Sequence, residues 1–194
     1  MQELRNLTDA IWINILMVVT SIPIVTVGAA ITAAHDANRR ALQGEAGGVT
    51  RNYFTAFRAN FAESTALWAV FGITGAALAY AWVVLQITPL LVPKIGLTLV
   101  WIIGFEWVFA LQARFENTVG RTLANAFVFG ISHILLTVGM IVLDAIWVGL
   151  LAACWFLFPQ GLFLLMVMGY GTMILCHIPL LERGFAQYLK SGEE

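Results

Sequence analysis

The chain has 194 residues, of which 60% are hydrophobic and only 11% are charged, and its mean hydropathy is +0.86. A soluble globular domain carries about 25% charged residues, so this composition argues against a soluble domain, a disordered chain or a disulfide-rich secreted scaffold. Ten basic and eleven acidic residues leave a net charge of −1, which does not indicate a nucleic-acid partner. The composition predicts an all-α integral membrane protein, a single domain over residues 1–194 with the lipid bilayer as its surroundings.

Charge-free stretches predict where the chain crosses the bilayer, because a spanning helix needs about 20 predominantly apolar residues. Pro89 and Pro93 indicate a turn after the second stretch, and Phe-Pro-Gln-Gly at 158–161 indicates another between the last two. Five spans are predicted, at roughly 10–34, 65–87, 95–114, 133–157 and 162–181.

The basic residues predict an orientation, because cytoplasmic loops are enriched in Lys and Arg. A five-span topology places seven arginines on one side, namely Arg39, Arg40, Arg51, Arg58, Arg114, Arg121 and Arg183. Arg5 and Lys94 fall on the other side. We therefore expect a multi-pass protein of the bacterial cytoplasmic (inner) membrane, with its N-terminus outside and its C-terminus in the cytoplasm.

The first predicted span has a rival interpretation as a cleaved signal peptide, because Thr-Ala-Ala at 32–34 offers small residues for cleavage. Its apolar region of about 25 residues is longer than the 7–15 typical of a signal peptide, which favours a span. Pro23 is expected to kink that span, which neighbouring helices make tolerable in a bilayer.

Two amphipathic segments each precede a span and predict helices lying in the cytoplasmic membrane interface. In the first, Phe54, Phe57 and Phe61 share one helical face. In the second, Leu123, Phe127 and Ile131 share one helical face. The arginines expected to contact lipid headgroups are Arg39, Arg40, Arg51, Arg58 and Arg121.

The two amphipathic segments also suggest an internal repeat of helix, span and span over residues 51–116 and 118–183. Ala-Phe occurs at 56–57 and again at 126–127, and Arg114 has a counterpart at Arg183. The alternative is that two helical hairpins with the same charge bias share this pattern without being repeats.

The apolar motif Ser-Ile-Pro-Ile-Val-Thr-Val-Gly-Ala-Ala at 21–30 resembles the YesL-like family of bacterial membrane proteins, a domain of unknown function. Residues 53–61, 113–116, 123–127 and 179–183 resemble further segments of that family, so the resemblance extends over nearly the whole chain. His35 departs from the aromatic residue expected after the first motif. The resemblance implies a membrane accessory of saccharide uptake or sensing, with carbohydrate ABC importer or sensor-kinase subunits as partners, and it implies no activity and no site residues.

Two carboxylates within predicted spans are the candidate intramembrane polar site, because a charge at the bilayer centre costs at least about 2.5–3.5 kcal/mol. Glu106 and Asp144 each lie about 16 Å from the start of their span at 1.5 Å per residue. They could share a proton or bracket a polar substrate or cation, with Asn14 as a polar neighbour. The structural alternative is that a carboxyl group hydrogen-bonds to Asn14 or a backbone carbonyl and fixes helix packing.

No cofactor or metal is predicted, because His35, His133 and His177 are scattered without ligand-type spacing. Cys154 and Cys176 are placed too far apart in depth for a disulfide.

Enzyme signatures such as His-Glu-x-x-His are absent from the sequence, so a non-enzyme is expected. The first functional hypothesis is an inner-membrane accessory or assembly protein of carbohydrate uptake or sensing. The second is a small transporter or channel in which Glu106 and Asp144 line a polar pathway, for which a homo-oligomer is expected. An intramembrane enzyme ranks third.

Overall fold

The computed structural model describes residues 2–45 and 47–191, so residues 1, 46 and 192–194 of the predicted domain lie outside it. The described residues form eight α-helices and include no strand, which confirms the all-α class. The helices are α1 (Gln2–Thr20), α2 (Val27–Gln43), α3 (Val49–Ala59), α4 (Phe61–Val83), α5 (Leu91–Arg114), α6 (Val119–Ser132), α7 (Ile134–Leu157) and α8 (Gly161–Ser191). Short 3-10 turns at Ile24–Thr26 and Thr88–Leu90 precede α2 and α5.

Four helical segments are long and apolar enough to cross a membrane, in agreement with four of the five predicted spans. They are Phe61–Val83, Thr88–Arg114, Ile134–Leu157 and Gly161–Ala186. These segments give the chain the character of a multi-pass membrane protein. The prediction of a fifth span at 10–34 is not matched by a single long helix.

The predicted first span is wrong as a continuous helix, because the chain leaves the helix after Thr20 and resumes it at Val27. Pro23 lies in the break, where it can offer no backbone N–H. The Gly171 N–H donates to Asn14 Oδ1 at 3.2 Å, and Asn38 Nδ2 donates to the Gly171 carbonyl at 3.3 Å. Residues 14 and 38 would lie about 36 Å apart in a continuous helix. The first two helices therefore fold back on each other as a hairpin.

The hairpin turn pairs several of its own backbone groups. The Thr26 hydroxyl lies 2.5 Å from the Thr20 carbonyl oxygen and 2.6 Å from that of Pro23. Ile22 and Ile24 at the turn are largely exposed, at 76% and 74%. A break with paired backbone groups and apolar exposed side chains suits an apolar solvent, where unpaired N–H and C=O groups are costly.

The second helix is the centre of the bundle and packs against α1, α3, α4, α5 and α8. Every residue from Gly28 to Asn38 is buried. A Cβ at Gly28 would lie 2.2 Å from the Ser64 carbonyl oxygen, so this contact requires glycine. Small residues in α2 thus let its neighbours approach closely enough to exclude lipid from its polar side chains.

The two predicted amphipathic segments are separate helices, α3 and α6. Helix α3 packs against α2, and α6 packs against α5. Asn60 alone separates α3 from α4, and His133 alone separates α6 from α7. In α3 the buried residues are Tyr53 and Ala56, whereas Phe54 on the predicted apolar face is 37% exposed. Phe54 and Phe61 of the predicted apolar face therefore lie outside the protein core, whereas Phe57 packs against it.

Tyr53 joins the first three helices through its hydroxyl, which lies 2.6 Å from Thr20 Oγ1 and 3.4 Å from the Ala30 carbonyl oxygen. Burial raises the pKa of Tyr53 to about 12, against the opposing effect of the hydrogen bond with Thr20. The side chain is therefore a neutral hydrogen-bonding group at physiological pH.

Cys154 and Cys176 are both free thiols, which confirms the prediction that they form no disulfide.

Candidate functional site

Glu106 and Asp144, the two carboxylates predicted to lie within spans, meet in the bundle. Glu106 is 7% exposed on a buried stretch of α5, and the Asp144 side chain on α7 is 27% exposed. One oxygen of each carboxyl group and a ring nitrogen of His177 all lie within 4.8 Å of one another. We call Glu106, Asp144 and His177 the carboxylate–histidine cluster.

His177 reaches the cluster from α8, where it shares a buried face with Ile174, Ile178 and Leu181. This face follows the i, i+3, i+4, i+7 spacing of a packed helix. His177 Nε2 lies 3.3 Å from Asp144 Oδ1, but without hydrogen-bond geometry, so neither atom has a hydrogen-bond partner. Glu106 Oε2 has none either.

Charge is the main physical problem of the carboxylate–histidine cluster. Like charges on neighbouring carboxylates repel strongly in a medium of low dielectric constant, and both cannot be ionised without compensation. The cluster contains two carboxyl groups and the imidazole of His177. The negative charge of the carboxylates must therefore be offset by a proton, by an imidazolium or by a bound cation.

Two further titratable side chains lie near the cluster. His35 on α2 is close enough for the charges of His177 and Asp144 to act on it, and its Nδ1 is buried without a hydrogen-bond partner. Tyr170 on α8 lies within electrostatic reach of Asp144 and Glu106. The cluster thus has further titratable side chains around it.

Asn14, the third predicted site residue, pairs with α8 and has no recorded hydrogen bond to either carboxylate. Its Nδ2 lies 2.9 Å from the Val167 carbonyl oxygen and 3.1 Å from that of Met166, and its Oδ1 accepts from Gly171 N. These are backbone groups around Gly169, where α8 is interrupted (φ 52°, ψ −168°). Asn14 therefore replaces hydrogen bonds that the interruption removes from α8.

Gly169 is required at the interruption for two reasons. Its positive φ is one that other residues adopt only at a cost. A Cβ there would also lie 2.1 Å from Asn14 Oδ1. We call Asn14, Gly169 and Gly171 the amide site.

The predicted headgroup arginines separate into two groups. Arg51, Arg58 and Arg121 are exposed. Arg39 and Arg40 instead pair with the buried Asp36, with N–O distances of 2.8 and 2.7 Å.

These paired arginines line a polar cleft of about 630 Å³ together with the α5–α6 connection. The polar residues around it are Asp36, Arg39, Arg40, Asn60, Glu63, Gln112, Arg114, Glu116 and Thr118. A much smaller cavity of about 20 Å³ shares Arg39 and Arg114 with the cleft and is also lined by His35. The small cavity thus brings His35 next to arginines of the cleft.

Sequence reasoning missed His177, His35 and Asp36 as members of polar sites. His177 lies 33 positions beyond Asp144 on the other side of a turn, so no local spacing signals the pair. The uncharged sequence around Gly169 likewise contains no proline that would signal a break.

Comparison with known proteins adds a family match and no activity. Residues 10–82, which extend from α1 through α4, match the family model described as "Protein of unknown function, DUF624". No curated protein and no solved structure matches the chain. This match over residues 10–82 is consistent with the resemblance of the sequence to the YesL-like family.

Proposed function

We propose that this protein is a small transporter or channel for cations in the bacterial cytoplasmic membrane. The observation that carries the proposal is the carboxylate–histidine cluster, in which two carboxylates meet inside candidate spans with unpaired polar atoms. Glu106 lies about 12 Å from the end of α5 and Asp144 about 15 Å from the start of α7. A cation at this depth would supply the positive charge that offsets the two carboxylates.

Two features around the cluster support transport over a purely structural use. The interruption of α8 at Gly169 resembles the discontinuous helices that form binding sites in many transporters. The polar cleft beside Arg39 and Arg114 opens on one face, and His35 lines the small cavity next to it. A packing role alone requires neither feature.

The proposed orientation places the cleft in the cytoplasm. Arg39, Arg40 and Arg114, which the positive-inside pattern assigns to the cytoplasmic side, line one cleft. The expected outside N-terminus depended on a single crossing by residues 10–34. Because α1 and α2 form a hairpin, we place the N-terminus on the same side as Arg39, with the C-terminus also in the cytoplasm.

The proposal includes the two interfacial helices and the internal repeat. It has four membrane crossings and one helical hairpin in place of the five predicted spans. Helices α3 and α6 lie in the cytoplasmic interface, and the exposed side chains of Phe54 on α3, Phe61 at the start of α4 and Ile131 on α6 contact lipid. The units α3–α4–α5 and α6–α7–α8 have the same order of one short and two long helices, which supports the repeat over 51–116 and 118–183.

Reconstitution of the purified protein in liposomes tests the transport proposal. Entrapped indicators for protons, monovalent cations and divalent cations report whether any of these ions enters. We expect flux with the natural protein and with Asp9→Asn, a control on α1 that lines neither the cleft nor the cluster, and at least a tenfold loss with Glu106→Gln or Asp144→Asn. Absence of flux for every ion, or equal flux in Glu106→Gln, would contradict the proposal.

An accessory role in carbohydrate uptake or sensing is the second candidate function, and one observation favours it. An apolar groove of about 510 Å³ between α4, α5 and α6 is lined by residues such as Leu78, Val100 and Phe127. A transmembrane helix of an ABC importer or sensor kinase would fit such a groove. Mild-detergent purification from native membranes distinguishes the two: recovery of such subunits, lost in Leu78→Trp, supports the accessory role.

A further inference from the structure

We propose that Glu106, Asp144 and His177 form a binding site for a divalent transition-metal ion such as Zn²⁺. The inference rests on the proposed function, since it identifies the class of cation, but the binding site can exist without transport. Neither the sequence prediction, which contained no metal, nor the DUF624 match includes such a site.

The donor set is the first reason for a transition metal. Two carboxylate oxygens and one imidazole nitrogen are ligands that Zn²⁺ and its neighbours accept, whereas Mg²⁺ and Ca²⁺ prefer oxygen alone. The imidazole nitrogen of His177 therefore discriminates between the two classes of divalent ion.

The distances between donor atoms are the second reason. Ligands bound at about 2.1 Å in a tetrahedral site lie about 3.4 Å from each other. His177 Nε2 and Asp144 Oδ1 are 3.3 Å apart, and all three donor atoms lie within 4.8 Å. Modest rotation of the Glu106 side chain would complete the geometry.

The unpaired buried atoms are a third and independent reason. His177 is 1% exposed and Glu106 is 7% exposed, yet His177 Nε2 and Glu106 Oε2 have no hydrogen-bond partner. Buried polar atoms without partners are costly and rare in folded proteins. A metal ion between these atoms would satisfy both.

Charge balance is the fourth reason. A divalent ion exactly offsets two ionised carboxylates, and a neutral site is far less costly to bury than a charged one. Monovalent ions would leave one negative charge. Three protein ligands also leave one coordination position for water, and His35 and Tyr170 are the nearby groups that could orient it.

Metal titration of the purified, chelator-treated protein in detergent tests the proposal. Calorimetry with Zn²⁺ and absorption spectroscopy with Co²⁺ report stoichiometry and coordination. We expect one ion per chain, no comparable binding of Mg²⁺, and at least a tenfold weaker affinity in Glu106→Gln, Asp144→Asn and His177→Gln. The control His133→Gln removes a histidine outside the cluster and should bind as the natural protein does.

A rescue variant keeps the test decisive if His177→Gln fails to fold. His177→Cys restores a metal ligand and should give a thiolate-to-cobalt charge-transfer band that the natural protein lacks. Absence of binding by the natural protein, or unchanged binding in Glu106→Gln, would overturn the metal site. Binding without flux would instead refute transport and leave the metal site standing, whereas flux of monovalent ions without metal binding would do the reverse.

Discussion

The amide site and the carboxylate–histidine cluster are two polar regions inside one apolar bundle, and they differ in how their atoms are paired. In the amide site, Asn14 pairs with three backbone groups around the interruption of α8. In the cluster, His177 Nε2, Asp144 Oδ1 and Glu106 Oε2 have no hydrogen-bond partner. The first region holds the interrupted helix in place, and the second has the features of a binding site.

This difference gives a criterion for interpreting polar residues in membrane helices. A polar side chain that pairs with backbone groups stabilises the fold. Its loss should therefore lower the stability of the protein whether or not a ligand is bound. A polar cluster that lacks partners contributes little to stability, and its loss should remove binding. The two regions therefore predict opposite outcomes for conservative substitutions.

Gly169→Ala should have the largest effect on folding. The new Cβ would collide with Asn14 Oδ1 and force a positive φ on alanine, so we expect destabilisation of about 3 kcal/mol or more. Thermal unfolding in detergent measures the effect. Gly149→Ala is the control, because a Cβ at Gly149 meets nothing within 4 Å. Equal stability of the two variants would refute the described interruption of α8.

Asn14→Ala should have the next largest effect, because it leaves the Met166 and Val167 carbonyls and the Gly171 N–H without their partner. Hydrogen bonds between helices in bilayers average about 0.6 kcal/mol, and unpaired buried groups cost about 1–3 kcal/mol. We expect a loss of about 2 kcal/mol in the same unfolding assay. Asn125→Ala on the partly exposed face of α6 should cost much less, and a similar loss there would argue against a specific role of Asn14 in holding the interrupted helix.

Glu106→Gln should change stability by less than about 1 kcal/mol in the absence of a bound cation, because it replaces a buried carboxyl group by a neutral amide of nearly the same shape. The assay is unfolding of chelator-treated protein. Destabilisation as large as that of Asn14→Ala would assign Glu106 to packing, which is the structural alternative for the carboxylates.

Tyr53→Phe should have the smallest effect at neutral pH, about 1 kcal/mol or less, because it removes one hydroxyl contact with Thr20. The distinguishing effect of this substitution is expected at alkaline pH. The pKa of Tyr53 is raised to about 12 in the folded protein, so the unfolded chain loses this proton first and stability falls as pH rises from about 10 to 12. Stability measured against pH should fall less steeply in Tyr53→Phe, and equal slopes would contradict the buried hydroxyl.

The sequence was sufficient to predict the four long helices and the similar depth of the two carboxylates, but not that these side chains meet. Apolar runs of helical length and the antiparallel connection of spans containing Glu106 and Asp144 carry this information locally. The hairpin at Pro23 was predicted only as a kink, because composition does not tell a bent span from one that folds back. His177 and Gly169 could not be predicted, since their roles depend on contacts with residues distant in sequence.

The most direct test of the account is the effect of cations on the unfolding temperature of the purified protein. A ligand that binds the folded state raises this temperature. The account predicts that at least one cation, with Zn²⁺ foremost, stabilises the natural protein and Asn125→Ala but not the Glu106→Gln, Asp144→Asn double variant. No stabilisation by any cation, or equal stabilisation of the double variant, would contradict the assignment of the carboxylate–histidine cluster as a binding site.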